Sequence, residues 1–320
     1  MPYKAAPHVC PVCKEHARFS FILDHKSGKD EWTLYECLGC LVQFWMPFRE
    51  AGRSFYEGYF QVRKSMKPTL SSAHRRFLKT ERSFVKGIRT LDVGCNTGDV
   101  MVELQKKGCE VWGVDIDANA INFAKKYFGL RHVYAMSSSN FFRLPDLPKF
   151  DLITFFELIE HLEDPVGFVH DVVKFLKPGG RVVLSTPSRE RFFATSISSD
   201  PPPAHLTRWN EVAITNLFKG TGCEFDKAIY VDQMKLLVEA FSRKLAMGLV
   251  TKTARAFKDK RINTEDATVV GGNMVTKMVH AGAYMKNYLF GGLPAGFFFL
   301  LGKITGRKNG DMIVWMRRHA

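Results

Sequence analysis

Four of the chain's seven cysteines stand in two tight pairs, "CPVC" (Cys10, Cys13) and "CLGC" (Cys37, Cys40), spaced C-x2-C-x23-C-x2-C. Two thiolates on each knuckle complete an all-sulfur tetrahedron, which suits a structural zinc with no position open for water. A second chemical signal is "TLDVGCNTGDV", residues 90–100, a buried strand that passes through a glycine turn into the helical "VMVELQKKG". Such a turn holds a nucleotide-like ligand. The nicotinamide fingerprint G-x-G-x-x-G fails, because counting from Gly94 its second and third glycines fall on Asn96 and Asp99. A phosphate-cradling loop needs G-K-[ST], and Gly98 is followed by Asp99, an acid that repels phosphate. The third signal is Asp115, followed by Ile116, in "EVWGVDID". A carboxylate at the end of a second strand suits the two hydroxyls of a ribose. An adenosine-like ligand that needs no phosphate cradle is expected.

These residues need a scaffold, and the rest of the pattern supplies one. "KFDLITFFELIEHLEDP" reads as a strand ending in acidic residues, and "LKPGGRVVLSTP" as a glycine-turned strand. Strands alternating with helices at this spacing predict an α/β fold, a doubly wound Rossmann-like parallel sheet with its ligand at the carboxyl ends of the strands. After "DKAIYVDQ" the sheet needs one more strand, which "DMIVWMRRH" (311–319) provides, so about 75 residues are inserted before it. Upstream, "FSFILD" and "WTLYEC" alternate as short strands between the cysteine pairs, the pattern of a zinc ribbon. "SSAHRRFLKTERSFVKG" reads as a helix capped by Ser71 or Ser72. The predicted organisation is a ribbon over 1–48, a linker with N-terminal helices over 49–87, the cofactor core over 88–234, a helical insertion over 235–310 and a final core strand over 311–320.

With 46% hydrophobic and 24% charged residues in 320, the chain is not a disordered one. The start, "MPYKAAPHVCPVC", lacks the apolar run of a signal peptide, and paired cysteines of metal type suit a reducing cytoplasm. Net charge is +14, and residues 235–320 hold 15 Lys/Arg against 5 Asp/Glu, so the excess is concentrated there.

Residues 88–230 resemble a class I S-adenosylmethionine-dependent methyltransferase. "LDVGCNTG" resembles that family's first motif, "GVDID" its ribose-binding acidic motif, "FDLITFFELIEH" its fourth-strand segment and "LKPGGRVVLSTP" its fifth-strand motif. The resemblance implies a seven-stranded sheet and S-adenosylmethionine as cofactor. It implies a cofactor site of Asp92, Gly94, Asn96, Gly98, Asp115, Ile116, Ser137, Phe156 and Glu157, in which the turn from Gly94 to Gly98 wraps the methionine and ribose parts, Asp115 holds the ribose hydroxyls, and Phe156 and Glu157 lie near the methionine end. Where the family usually has an Asp for the adenine amine, "VYAMSSSNFF" has Ser137. The whole layout, ribbon then cofactor domain, resembles bacterial zinc-ribbon methyltransferases of sugar and secondary metabolism. "FFELIEHLEDP" also resembles ubiquinone-type O-methyltransferases.

Methyl transfer to a hydroxyl needs a base near neutral pKa, and histidine fits. His161 in "ELIEHL" and His205 in "PPPAHLTRW" lie where the family's active-site loops would be. The run Pro201, Pro202, Pro203 stiffens the approach to His205. Alternatively His205 is a helix-entry residue, with Thr207 capping "RWNEVAITNLF". Glu157, Glu160 and His161 form E-x-x-E-H, which by resemblance binds magnesium; alternatively Glu160 and His161 begin a helix. "MKLLVEAFSRKLAMGLV" has helical apolar spacing, and "YLFGGLPAGFFFLLG" (288–302) is apolar with basic flanks but too short to span a bilayer. The insertion is expected to touch the inner face of the membrane peripherally or to form a lid or a homodimer contact, and not to bind nucleic acid. The expected activity is methyl transfer to a hydroxyl of a small or lipid-linked acceptor. The alternatives are sugar C-methylation and a non-catalytic, cofactor-binding role in an assembly.

Overall fold

A computed structural model describes residues 7–27, 30–49, 67–81, 84–191, 201–231, 300 and 310–320. The chain forms two compact units, one of residues 1–189, 199–231 and 310–320, the other of 190–198 and 232–309. The apolar stretch 288–302 (Leu300 apart), the helix expected in "MKLLVEAFSRKLAMGLV" and the linker around "FYEGYF" lie outside the described residues. No helix among the described residues is long and apolar enough to cross a membrane.

The first unit carries a seven-stranded sheet in the order β10-β11-β8-β7-β4-β5-β6. Its strands are β4 (Arg89–Val93), β5 (Glu110–Asp115), β6 (His132–Ala135), β7 (Phe150–Phe156), β8 (Leu176–Pro187), β10 (Cys223–Val231) and β11 (Asp311–Arg318). The strands β4 to β8 pair in parallel, and β11 runs antiparallel to both its neighbours. Neighbouring residues in these strands enter opposite cores. Ile153, Val182 and Val314 pack on one face with Val169 and Val172 of α5 (Pro165–Phe175). Leu152, Val183 and Ile313 pack on the other with Phe77 of α1 (Ser72–Thr80), Leu104 of α2 (Asp99–Lys106) and Ala124 of α3 (Ala118–Phe128). Burial on both faces explains why these strands read as continuous apolar runs rather than alternating ones.

Local chemistry sets the helix starts. Ser71 caps α1 by accepting from the His74 N–H, and the His74 ring accepts from the Ser71 N–H in return. Asp117 caps α3 through the N–H groups of Asn119 and Ala120. Between the sheet's strands lie the short α4 (Ser138–Phe141) and a 3-10 turn, Ile159–His161. For α6 (Glu211–Leu217) the cap is Asn210, which accepts from the Ala213 N–H, and not Thr207. Thr207 belongs to a strand, β9 (Thr207–Arg208), and its hydroxyl accepts from the Trp209 indole at 2.8 Å.

β9 completes a second sheet. Its order is β1-β2-β3-β9, with β1 (Phe19–Ser27), β2 (Asp30–Cys37) and β3 (Gln43–Met46) all antiparallel neighbours. The two cysteine pairs flank β1 and β2 as the ribbon pattern requires.

Candidate functional site

The glycine turn follows β4 directly. Gly94 (φ 74°), Asn96 (φ 48°) and Gly98 (φ 76°) take left-handed backbone, and a Cβ on Gly98 would stand 2.3 Å from Leu130 Cδ1, so a side chain there would strain the turn and push Leu130 aside. The carboxylate of Asp115 ties the turn to the end of β5. Its Oδ2 accepts from the Asn96 N–H at 2.8 Å and its Oδ1 from the Asp117 N–H at 2.9 Å, and burial raises its pKa. A carboxylate has about four acceptor sites in all, so room is left for a ribose diol. A Cβ at Gly94 would touch Leu158 at 3.5 Å, so the segment after β7 packs over the turn.

Asp92, buried in β4, accepts from the Thr154 hydroxyl at 2.7 Å, and burial pushes its pKa up to about 7. In the unfolded chain this carboxyl ionises near 3.8. Between those values the folded state keeps a proton that the unfolded state has lost, so stability falls as pH rises through the window and levels off above it. Asp92→Asn is expected to remove that slope. The melting temperature of the variant minus that of the parent should grow from pH 5 to pH 8.

The segment after β7 brings a second group together. Glu160 (1% exposed), His161 and His205 (9% exposed) place one ligand-capable atom each within 4.8 Å of one another. The two imidazoles meet edge to face, 4.8 Å between centroids at 76°. His161 Nδ1 donates to the Ala204 carbonyl at 2.6 Å. A carbonyl only accepts, so the lone pair lies on Nε2, and burial lowers the ring's pKa and keeps it neutral at pH 7. Next along the chain, the Leu206 N–H donates to the Glu160 carbonyl at 2.8 Å.

Residues 62–228, over half the chain, match the family model described as "Methyltransferase domain". The chain belongs to the methyltransferase-domain family. Among curated relatives it is 33% identical over 108 residues to the "Ubiquinone biosynthesis O-methyltransferase" of Alkalilimnicola ehrlichii, covering 33% of this chain and 44% of that protein. It is 36% identical over 115 residues to the mitochondrial enzyme of that name from Schizosaccharomyces pombe, covering 34% and 41%. In these matches the chain spans less than half the length of either relative. A solved "SAM dependent methyltransferase from Archaeoglobus fulgidus" is 16% identical, with 83% of this chain and 100% of that one covered at a TM-score of 0.46.

Within this methyltransferase domain, Ile116 follows Asp115 half-buried, and Ser137 has a structural task. The Ser137 hydroxyl caps α4 by accepting from the Asn140 N–H at 3.3 Å, with Ser139 Oγ 3.1 Å away. Phe156 ends β7 against the rings of His74 (4.8 Å) and Phe77 (5.3 Å), which come from α1. Glu157 has φ 50°, a strained value for a non-glycine residue at the carboxyl end of a parallel strand. Its Oε1 accepts from the Ser185 hydroxyl at 2.8 Å. Of the acidic motif, the structure therefore joins Glu160 and His161 with His205, while Glu157 belongs to the β7–β8 edge. Sequence reasoning missed this grouping because no spacing rule relates residue 205 to residue 160.

The four cysteines converge as well. Sγ atoms of Cys10 and Cys40 lie 3.9 Å apart, as do those of Cys13 and Cys37, and all four fall within 4.8 Å of one another. A tetrahedron with Zn–S bonds of about 2.3 Å has edges of about 3.8 Å, so the donor set fits that ion. A separate groove of about 660 Å³, lined by Arg89, Glu110, Trp112 and His132, opens at the amino ends of β4 to β6, away from the glycine turn.

Proposed function

We propose that the chain transfers a methyl group from S-adenosylmethionine to a hydroxyl of a small acceptor. The observation that carries this reading is the convergence of Glu160, His161 and His205 just beyond the strand whose following segment packs on Gly94. The turn from Gly94 to Gly98 would hold the methionine and ribose parts and Asp115 the diol, with Phe156 and Glu157 beside the methionine end. When bound, the cofactor supplies an electrophilic methyl on sulfonium. His161 then takes the acceptor's hydroxyl proton at Nε2, and His205 orients the acceptor oxygen for in-line attack. Relatives named as ubiquinone O-methyltransferases support a phenol-type hydroxyl. Four thiols at zinc spacing support a structural zinc in the ribbon.

A second reading rests on the same cluster. One carboxylate and two imidazoles within 4.8 Å form a donor set for a divalent ion. Such an ion would lower the acceptor hydroxyl's pKa and fix its oxygen. Two imidazoles favour an ion softer than the magnesium that the E-x-x-E-H resemblance implies.

The first test is calorimetric titration of S-adenosylmethionine, with Asp115→Ala as control. Loss of two charge-assisted hydrogen bonds at about 1.5 kcal/mol or more each should weaken binding by roughly 10² or more. An acceptor panel of phenols and sugars then follows, with product mass and NMR reading the methylated atom. Binding without turnover on any acceptor would favour the assembly-partner alternative. No binding by the parent would sink the reading. A carbon-bound methyl would replace the hydroxyl reading with C-methylation. Turnover lost on chelation while the four cysteines still hold zinc, and restored by a second metal, would favour the ion over the base.

A further inference from the structure

The cysteine ribbon is built into the loop that carries His205. Cys37 ends β2, and only two residues separate Cys40 from the start of β3 at Gln43. β3 pairs with β9 in the register Gln43↔Arg208 and Phe44↔Thr207. The ladder continues one step further, where the Trp45 N–H donates to the Leu206 carbonyl at 2.9 Å. Leu206 is thus held from both sides, its carbonyl by the ribbon and its N–H by the Glu160 carbonyl. Ala204 is held by His161. His205 lies between these two anchored residues.

Side chains reinforce the joint. Arg208 Nη1 donates to Gln43 Oε1 at 3.1 Å, and Arg189 Nη2 donates to Glu36 Oε1 at 3.1 Å. Asn216 Nδ2, from α6, donates to the carbonyl of Cys40 itself at 3.1 Å. Phe44, Trp45, Leu206 and Trp209 are buried around these bonds.

We infer that the metal-loaded cysteine knuckle is a positioning element for the Glu160–His161–His205 cluster, with Trp45 and Leu206 as the connecting backbone. A ribbon of some forty residues has too small a core to fold alone, so its metal-binding energy is its folding energy. Loss of the metal releases β3, and with it the carbonyl of Leu206 and the placement of His205. The cofactor turn hangs from β4 and β5 and has no strand in the ribbon sheet, so metal loss reaches it only indirectly, through the packing of Leu158 on Gly94. The consequence for catalysis rests on the histidine reading above, but the coupling itself does not.

The experiment uses the full chain, loaded with one zinc and then stripped by a chelator, with a Cys40→Ser variant alongside. Hydrogen exchange read by mass spectrometry should rise about tenfold or more in peptides covering 203–210 and 157–163 on metal loss, and return when zinc is restored. Peptides covering 90–100 and the calorimetric affinity for S-adenosylmethionine should stay within about threefold. With an acceptor in hand, kcat should fall while KM for the cofactor holds. Asn216→Ala keeps all four thiols, and it should bind zinc while raising exchange in 203–210 a few-fold. Unchanged exchange in 203–210 after zinc removal would overturn the inference, and so would a parallel loss of cofactor binding or a chain that takes up no zinc. Because exchange and zinc content need no turnover, inactive histidine variants and a failed coupling are told apart.

Discussion

Replacing His161 with alanine is expected to lower kcat by roughly 10²–10⁴-fold, the usual worth of a general base, while S-adenosylmethionine affinity changes little. The side chain's Nδ1 is committed to the Ala204 carbonyl, so the ring presents Nε2 in a fixed direction. Alanine removes both the proposed base and the anchor of the loop before His205. His161→Asn separates the two roles, since an amide can still donate to Ala204 but is no base at neutral pH. Single-turnover methyl transfer with saturating cofactor is the measurement. Loss of rate in both variants fits a base. Recovery in His161→Asn would mean that His161 only holds the loop, and that His205 or a bound ion removes the proton.

Arg181→Met is expected to cost about 3–5 kcal/mol of stability, the usual penalty for stripping the partner from a buried charge. Glu81, just after α1, has its side chain 1% exposed. Its Oε1 accepts from Arg181 on β8 at 2.8 Å and its Oε2 from the Trp315 indole on β11 at 2.9 Å. The three residues lock α1 onto β8 and β11, and α1 supplies the rings that pack against Phe156. Urea unfolding of Arg181→Met, of Glu81→Gln and of the double variant closes a cycle. Because neutral Gln still accepts from Trp315, the double variant should be less destabilised than the two single losses added together. Strict additivity would mean that the pair does not couple.

The parts of the site that were legible in the sequence are those whose chemistry is local. Position 98 favours glycine because the turn is left-handed there, and Asp115 ends a strand whose position follows from periodicity. The cysteine knuckles are local too, since each pair spans four residues. The ion pair of Glu81 with Arg181 was invisible, because its members are 100 residues apart and each looks like an ordinary surface residue. So was β9. A two-residue strand has no period to detect, and "PPPAHLTRWN" offered a proline run and a cap-like Thr207 instead. The actual cap, Asn210, sits three residues on, and the difference leaves Thr207 available to the ribbon sheet. Ser137 departs from the family's usual Asp at the adenine position, and its hydroxyl serves as a helix cap.

The position of β11 bears on how the protein is made. This strand lies inside the sheet, between β10 and β8, yet it comes last in the chain order of the sheet. Some eighty residues separate it from β10, which ends at Val231. At ribosomal speeds of about 5–20 residues per second, roughly 4–16 s pass between the emergence of β10 and that of β11. Throughout that interval β8 presents an open backbone edge, and β10 has no neighbour to pair with. An unpaired, apolar strand edge is a template for joining another chain. The nascent protein therefore has a timed vulnerability, in which the glycine turn and its neighbouring strands can form while the sheet stays unsealed. Slow codons within 232–310 would lengthen that interval, and a holding chaperone would be most useful there.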